Sequence, residues 1–168
     1  MTTTKPGQEL VGHSGNDNIT TPRPLFDWLN RRFRFDYDAF ASHENALCDY
    51  YSTETGTFSK DFRNPPALED SNDGLSHGWA MRRVYWNPPY SQPLMRHAIE
   101  KAIEERNSAE ISVGLVKCDT STKNFELLQR YFHIEYQPRI KYGGMKQGAT
   151  FASAIVIAKP DVWRPSRG

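Results

Sequence analysis

Apolar residues recur along this chain with two periods, and the periods alternate. Thr20 or Thr21 can cap a helix with Pro22 in its first turn, and Leu25, Trp28 and Leu29 then share one face, with Arg31 and Arg32 outside it. Phe33, Phe35 and Tyr37 alternate with Arg34, Asp36 and Asp38, which is the period of a strand ending near Asp38-Ala39-Phe40-Ala41-Ser42. Glu44 to Tyr50 reads as a short helix. From Thr53 to Gly78 the pattern disappears into Ser, Asn, Asp, Gly and Pro, and 53–78 is expected to be a long loop, either a lid or an insertion. Strand character returns at Val84-Tyr85-Trp86. Met95, Ala98, Ile99, Ala102 and Ile103 define a helix face. Ile111 to Val116 predicts a buried strand, and Thr122 to Arg130 a helix with Phe125 and Leu128 inward. Phe132, Ile134 and Tyr136 alternate, and Phe151 to Ala158 is nearly continuous apolar strand. The last two strands are joined through Gly143-Gly144 and Gly148 without a helical pattern between them, which predicts an antiparallel hairpin.

This order of elements predicts an α/β, three-layer domain with a mostly parallel sheet and a C-terminal antiparallel hairpin. Right-handed crossovers bring the loops after Tyr37, Trp86 and Val116 to one edge, so Asp38, Asn87 and Asp119 are expected in one cleft. Residues 1–18 are polar with almost no large side chains and read as a disordered tail. The domain is expected over 19–162, with a short tail at 163–168.

Composition narrows the classes. At 168 residues the chain can bury one real core. No apolar run approaches the ~20 residues of a membrane helix, and the amino-terminal segment lacks a signal-peptide apolar centre. Cys48 and Cys118 are far apart and read as free thiols of a reducing compartment, and the five histidines are scattered, so no metal site is expected. A net charge of +1 argues against nonspecific coating of nucleic acid, although basic residues cluster locally at Arg31, Arg32 and Arg34 and at Arg139, Lys141 and Lys146.

The most specific chemistry sits at Asn87-Pro88-Pro89-Tyr90, just past an apolar strand. Ligands of open α/β sheets bind at such carboxyl ends. The Asn87 side-chain oxygen and the Pro88 carbonyl can both accept hydrogen bonds from an exocyclic amine, while the two proline rings stiffen the loop. Tyr90 can stack on a heterocycle. An adenine or cytosine amine is a poor nucleophile because its lone pair is delocalised. Two acceptors gripping its hydrogens favour a tetrahedral nitrogen with a directed lone pair. The chain carries its own control, Asn64-Pro65-Pro66-Ala67, which follows no buried strand and ends in a residue that cannot stack; it reads as a plain loop.

These residues resemble the phage DNA N-6-adenine-methyltransferase (phage Dam) family, over Thr21 to about Ala158. The resemblance rests on Thr21-Pro22 with Leu25-Phe26, on Phe35 to Ser42 with Asn45 to Cys48, on Asp73-Gly74-Leu75 with Trp79, and on Asn87 to Ser91; Arg139 to Gly144 is similar to the family's closing hairpin. It implies a Rossmann-like fold, S-adenosylmethionine as cofactor and double-stranded DNA as partner. It implies methylation of adenine N6, shielding of phage DNA from restriction, and a place in the host-cell cytoplasm. By similarity, Asn87, Pro88, Pro89 and Tyr90 form the catalytic loop. Thr21 and Pro22 touch the donor, Asp38 and the turn Ala39, Phe40, Ala41 and Ser42 hold its amino-acid part, and Asn45 borders the pocket. Asp73 approaches the adenosine, with Glu54 and Asp61 as alternatives. Ser121, Thr122 and Lys123, and Arg139, Lys141 and Lys146, are candidates for DNA contacts. The turn after the first strand departs from the glycine-rich turn of many methyltransferases. Methylation of the cytosine amine remains the alternative reaction, and a non-catalytic DNA- or donor-binding protein the alternative class. A protein side-chain amide is a third substrate for the same loop logic. Oligomeric state and recognition sequence are not encoded in any of these patterns.

Overall fold

A computed structural model describes residues 20–60, 67–91, 93–143 and 148–161. The two tails, the Asn64-Pro65-Pro66 segment, Asp61 and Lys146 lie outside the described residues.

The first helix, α1 (Arg23–Phe33), has Pro22 at its N-cap, and its last turn carries Arg31 and Arg32, favourably placed on the helix dipole. Thr21 does not cap it; its hydroxyl is engaged elsewhere, as described below. Arg34 closes the helix in the left-handed region at φ 53°, its N–H bonding the Asn30 carbonyl at 2.8 Å. The Asn30 side chain then accepts from Phe35 N at 2.7 Å, so one residue ends the helix and aims the chain into the sheet. The buried stripe is Phe26, Leu29 and Phe33. Trp28 is 43% exposed, which corrects the face predicted for it.

The strands are β1 (Tyr37–Asp38), β2 (Tyr50–Thr53), β3 (Gly56–Ser59), β4 (Ala67–Asp70), β5 (Arg83–Trp86), β6 (Ile111–Lys117), β7 (Phe132–Gln137) and β8 (Ser153–Ala158). Helix α2 (Leu94–Glu104) links β5 to β6, and α3 (Lys123–Tyr131) links β6 to β7. One eight-stranded sheet results, in the order β4-β3-β2-β1-β5-β6-β8-β7. Its centre is parallel: β1 pairs with β2 and β5, and β5 with β6. The four outer pairings are antiparallel, so the sheet is mixed rather than mostly parallel. The closing hairpin of β7 and β8 is present as expected.

Two sequence expectations fail on the β2 side. No helix spans 44–50; that segment turns and then enters β2. The patternless stretch 53–78 holds β3 and β4. Its one buried polar residue among those described, Thr57, is not orphaned but joins a chain of hydroxyls with Ser52 of β2 and Tyr37 of β1. Tyr37 Oη meets Ser52 Oγ at 2.6 Å, Ser52 Oγ meets Thr57 Oγ1 at 2.6 Å, and Thr57 donates to the Asn72 carbonyl at 2.7 Å.

Side-chain alternation divides the core. Tyr85, Val113, Leu115 and Ile155 pack with Phe26, Leu29 and Phe33 of α1. Val84, Trp86, Val116 and Val156 pack with Met95, Ala98 and Ile99 of α2 and with Phe125 and Leu128 of α3. Helices therefore cover both faces of the sheet. Trp86, the last residue before the Asn-Pro-Pro loop, is held without play. Its indole N–H donates to Ser112 Oγ at 3.0 Å, and it lies so close to Gly114 that a Cβ there would meet the ring at 2.4 Å.

Candidate active site

Because β1, β2 and β5 run parallel, the residues that follow them emerge on the same edge of the sheet. A cavity of about 610 Å³ opens there. Ala39 to Ser42 and Asn45 line it from the loop after β1, and Ser52, Thr53 and Glu54 from the end of β2. Asp73, Gly74 and Leu75 form another wall, and Asn87, Pro89, Ser91 and Leu94 complete it beyond β5.

The loop after β1 is braced from within. Ala39 N bonds the Tyr85 carbonyl at 3.0 Å and Ala41 N the Ser52 carbonyl at 2.8 Å. Ser42 N donates to Asn45 Oδ1 at 2.7 Å, and Asn45 N to Ser42 Oγ at 3.3 Å. The reciprocal pair, of the capping-box kind, ties this turn together through its side chains. The segment at Gly74 closes against it: a Cβ on Gly74 would sit 1.8 Å from the Ala39 carbonyl oxygen. Asp73 caps its own turn, its Oδ1 accepting from Leu75 N at 3.2 Å and Ser76 N at 2.8 Å, while also lining the cavity. Glu54 lines the same cavity from the end of β2.

Asp38 lies one layer deeper, 3% exposed. Burial pushes its carboxyl up to about 6, opposed by backbone hydrogen bonds from Leu47 and Phe40 and by the charge of Lys60. The Leu47 N–H reaches Asp38 Oδ2 at 3.0 Å. Asp38 lines a small cavity of about 30 Å³ together with Thr21, Tyr85 and Asn87. The two cavities share Thr20, Phe40, Asn45 and Asn87 as walls.

Asn87 therefore faces both spaces. Its Nδ2 donates to Thr21 Oγ1 at 3.0 Å, and Thr21 Oγ1 lies 2.7 Å from the Tyr85 hydroxyl. Pro88 is buried and lines neither cavity, and Pro22, at the helix cap, lines neither as well. Tyr90 also stays out of both cavity walls. Its ring meets Phe151 edge-on at 5.5 Å and Tyr142 at 6.3 Å, and its hydroxyl lies 3.0 Å from that of Tyr142, which in turn meets Ser153 Oγ at 2.7 Å.

The expected cleft of Asp38, Asn87 and Asp119 is not formed: Asp119 lines neither cavity, and its carboxylate accepts from Ser121 Oγ at 2.7 Å. Thr122 is the N-cap of α3, accepting from Phe125 N. These two hydroxyls are engaged locally, while Lys123 is exposed. Arg139 and Lys141 are exposed on the segment after β7, which docks back by Gly143 N to the Thr20 carbonyl at 2.9 Å. Sequence reasoning missed Ser52, Thr53, Leu75 and Leu94 as lining residues. The Tyr50-Tyr51-Ser52-Thr53 run that ends in the cavity was the available signal, hidden by its polar residues.

Among the described residues no group of three or more His, Cys, Asp or Glu is arranged to hold a metal ion, and no helix is long and apolar enough to cross a membrane.

Comparison with known sequences converges on one class, the DNA adenine methyltransferases. The sequence model of the family described as DNA N-6-adenine-methyltransferase (Dam) matches residues 10–160, and the chain belongs to that family. It is 32% identical over 112 residues to the DNA N-6-adenine-methyltransferase of Escherichia phage T1, covering 65% of this chain and 39% of that protein. The matched part thus spans about two fifths of the length of that curated relative.

Proposed function

We propose that this chain is a site-specific DNA methyltransferase that moves a methyl group from S-adenosylmethionine to N6 of adenine in duplex DNA. The reading treats 19–162 as a methyltransferase domain with a Rossmann-like fold. The observation that carries it is that Asn87 and Pro89, on the loop that leaves the central parallel strand β5, wall a large cavity also bounded by the loops after β1 and β2.

The residues around the cavity fit that donor. Asp38, Glu44, Glu54 and Asp73 give the two adjoining cavities an acidic character suited to a cationic ligand with an ammonium group. Asp38 is a buried carboxylate whose desolvation an ammonium would offset. Glu54 and Asp73 can accept from ribose hydroxyls, and Phe40, Leu75 and Pro89 supply apolar surface for an adenine ring. When bound, the donor supplies an electrophilic methyl carbon on a sulfonium.

The chain does the rest by position. The Asn87 amide oxygen and the Pro88 carbonyl accept from the two hydrogens of the target amine, favouring a tetrahedral nitrogen whose lone pair points away from both. The surplus proton leaves to water. Reaching the amine requires rotating the base out of the duplex, at about a few kcal/mol. Stacking on Tyr90 offsets roughly 1–3 kcal/mol of this. Arg139, Lys141 and Lys123 are the exposed cations placed to meet phosphates in this reading, and Ser121 and Thr122 contribute chiefly by capping α3.

The test is chemical. Unmethylated DNA is incubated with the protein and labelled donor, digested to nucleosides and separated. The reading expects label in N6-methyl-2′-deoxyadenosine. Label in N4-methyl-2′-deoxycytidine, or none in DNA, would refute it.

A further inference from the structure

A carboxamide can present either its oxygen or its nitrogen to a substrate, and the two differ by a half-turn about one bond. Only the oxygen can accept from a nucleobase amine. The proposed chemistry therefore needs something that decides which end of Asn87 faces the cavity.

The surroundings of Asn87 make that choice. Its Nδ2 donates to Thr21 Oγ1 at 3.0 Å, 66 residues away in sequence. Thr21 is 8% exposed, and its hydroxyl meets that of Tyr85 at 2.7 Å. Tyr85 is itself 1% exposed and clamped edge-on against Phe26 at 5.2 Å. A threonine hydroxyl can donate as well as accept, so Thr21 alone would tolerate either amide orientation. Asp38 breaks the tie. Its carboxylate lines the same 30 Å³ cavity as Thr21, Tyr85 and Asn87. An anion in this low-dielectric space favours the amide nitrogen over the amide oxygen on the side of Asn87 that faces it.

We propose that Thr21, backed by Tyr85, is a positioning residue that holds the Asn87 carboxamide with its nitrogen against the protein and its oxygen toward the substrate. This rests on the adenine methyltransferase reading and assigns Thr21 a duty toward the catalytic loop instead of toward the donor. It also explains why Thr21 is buried at the start of α1 without capping the helix. The Thr20–Gly143 bridge fixes the backbone beside it.

The test compares wild type, Thr21→Val, Thr21→Ser and Tyr85→Phe. Single-turnover methylation of unmethylated DNA, donor affinity by calorimetry and melting temperature are measured for each. Hydrogen exchange of the Asn87 side-chain NH₂ is followed by ¹⁵N NMR, with Asn87→Asp assigning the signal. Thr21→Val should slow single turnover about tenfold or more, leave donor affinity within about twofold and remove the exchange protection. Thr21→Ser should recover both rate and protection, and Tyr85→Phe should fall between. Should Thr21→Val not fold, Thr21→Ser and Tyr85→Phe still report through rate and exchange, and Tyr85→Phe with wild-type values in both overturns the proposal. A Thr21→Val enzyme with normal rate and protected NH₂ overturns it too, as does loss of donor affinity in step with rate. Wild-type protein that never methylates adenine defeats the functional reading itself, and the proposal with it.

Discussion

The hydroxyls of Tyr90 and Tyr142 lie 3.0 Å apart, joining the Asn-Pro-Pro loop to the segment that also carries Arg139 and Lys141. Tyr142 is 1% exposed and anchored in turn to Ser153 of β8. The ring of Tyr90 is thereby set by the sheet and not left to swing. Burial and the neighbouring Tyr142 raise the Tyr90 hydroxyl well above its ordinary value, so it stays a neutral phenol through the physiological range.

Removing the hydroxyl and removing the ring should therefore have separate effects. Tyr90→Phe loses one hydrogen bond, about 1 kcal/mol of stability, and keeps the stacking surface, so its methylation rate should stay within a few-fold of wild type. Tyr90→Ala removes the ring and should lower the rate by about 10- to 100-fold, given roughly 1–3 kcal/mol per stacked base. Rates on duplex DNA, with melting curves alongside, check this; equal rates for the two variants would exclude stacking.

Asp38 sets stability against binding. Its folded value of about 6 lies above the ordinary 3.8, so folding favours the protonated acid. The sign follows: its contribution to stability is complete below about pH 4 and is lost as pH rises through 6, up to about 2–3 kcal/mol. Asp38→Asn should then be more stable than wild type at pH 8, with the gain vanishing near pH 4, and should bind S-adenosylmethionine more weakly. Paired melting curves across this pH range and calorimetry at neutral pH give the answer. Equal stability at pH 8 would contradict the burial argument.

Glu54 and Asp73 share a cavity but differ in what holds them. Asp73 Oδ1 already accepts from two backbone N–H groups. Asp73→Asn retains an acceptor and should fold normally with a modest change in donor affinity. Glu54→Gln should weaken donor binding about tenfold while leaving the melting temperature unchanged. The reverse ranking by calorimetry would return the ribose-binding role to Asp73.

Arg139 and Lys141 test the DNA face. If each neutralises one phosphate, Arg139→Ala with Lys141→Ala should reduce the slope of log affinity against log salt by about 1.8. An unchanged slope in a salt titration of DNA binding would move the interface elsewhere.

How far the sequence carried depends on what each element buries. The α2 face of Met95, Ala98 and Ile99 was readable because it packs on apolar neighbours at helical spacing. The strand ending in Trp86 and the loop behind it were readable for the same reason. The β2–β3 ribbon was not, because Ser52 and Thr57 are fully buried and satisfy one another, so burial there leaves no apolar period. β1 is two residues long, too short for any period, and Phe33 proved to end a helix instead of starting a strand. Asp119 was expected in the cleft from topology alone; β6 does end on that edge, but the cavity forms over β2, β1 and β5, and the Asp119 carboxylate turns to Ser121. The link from Asn87 through Thr21 to Tyr85 joins residues 66 apart in the chain and has no local signature.

The central claim is that the Asn87 carboxamide acts on the amine and not on the donor. Single-turnover methylation by Asn87→Ala, with S-adenosylmethionine binding measured on the same preparation, tests it most directly. The account predicts a rate reduced by at least about 100-fold with donor affinity near that of wild type. Methylation at the wild-type rate, or a loss of rate explained wholly by lost donor binding, would contradict it.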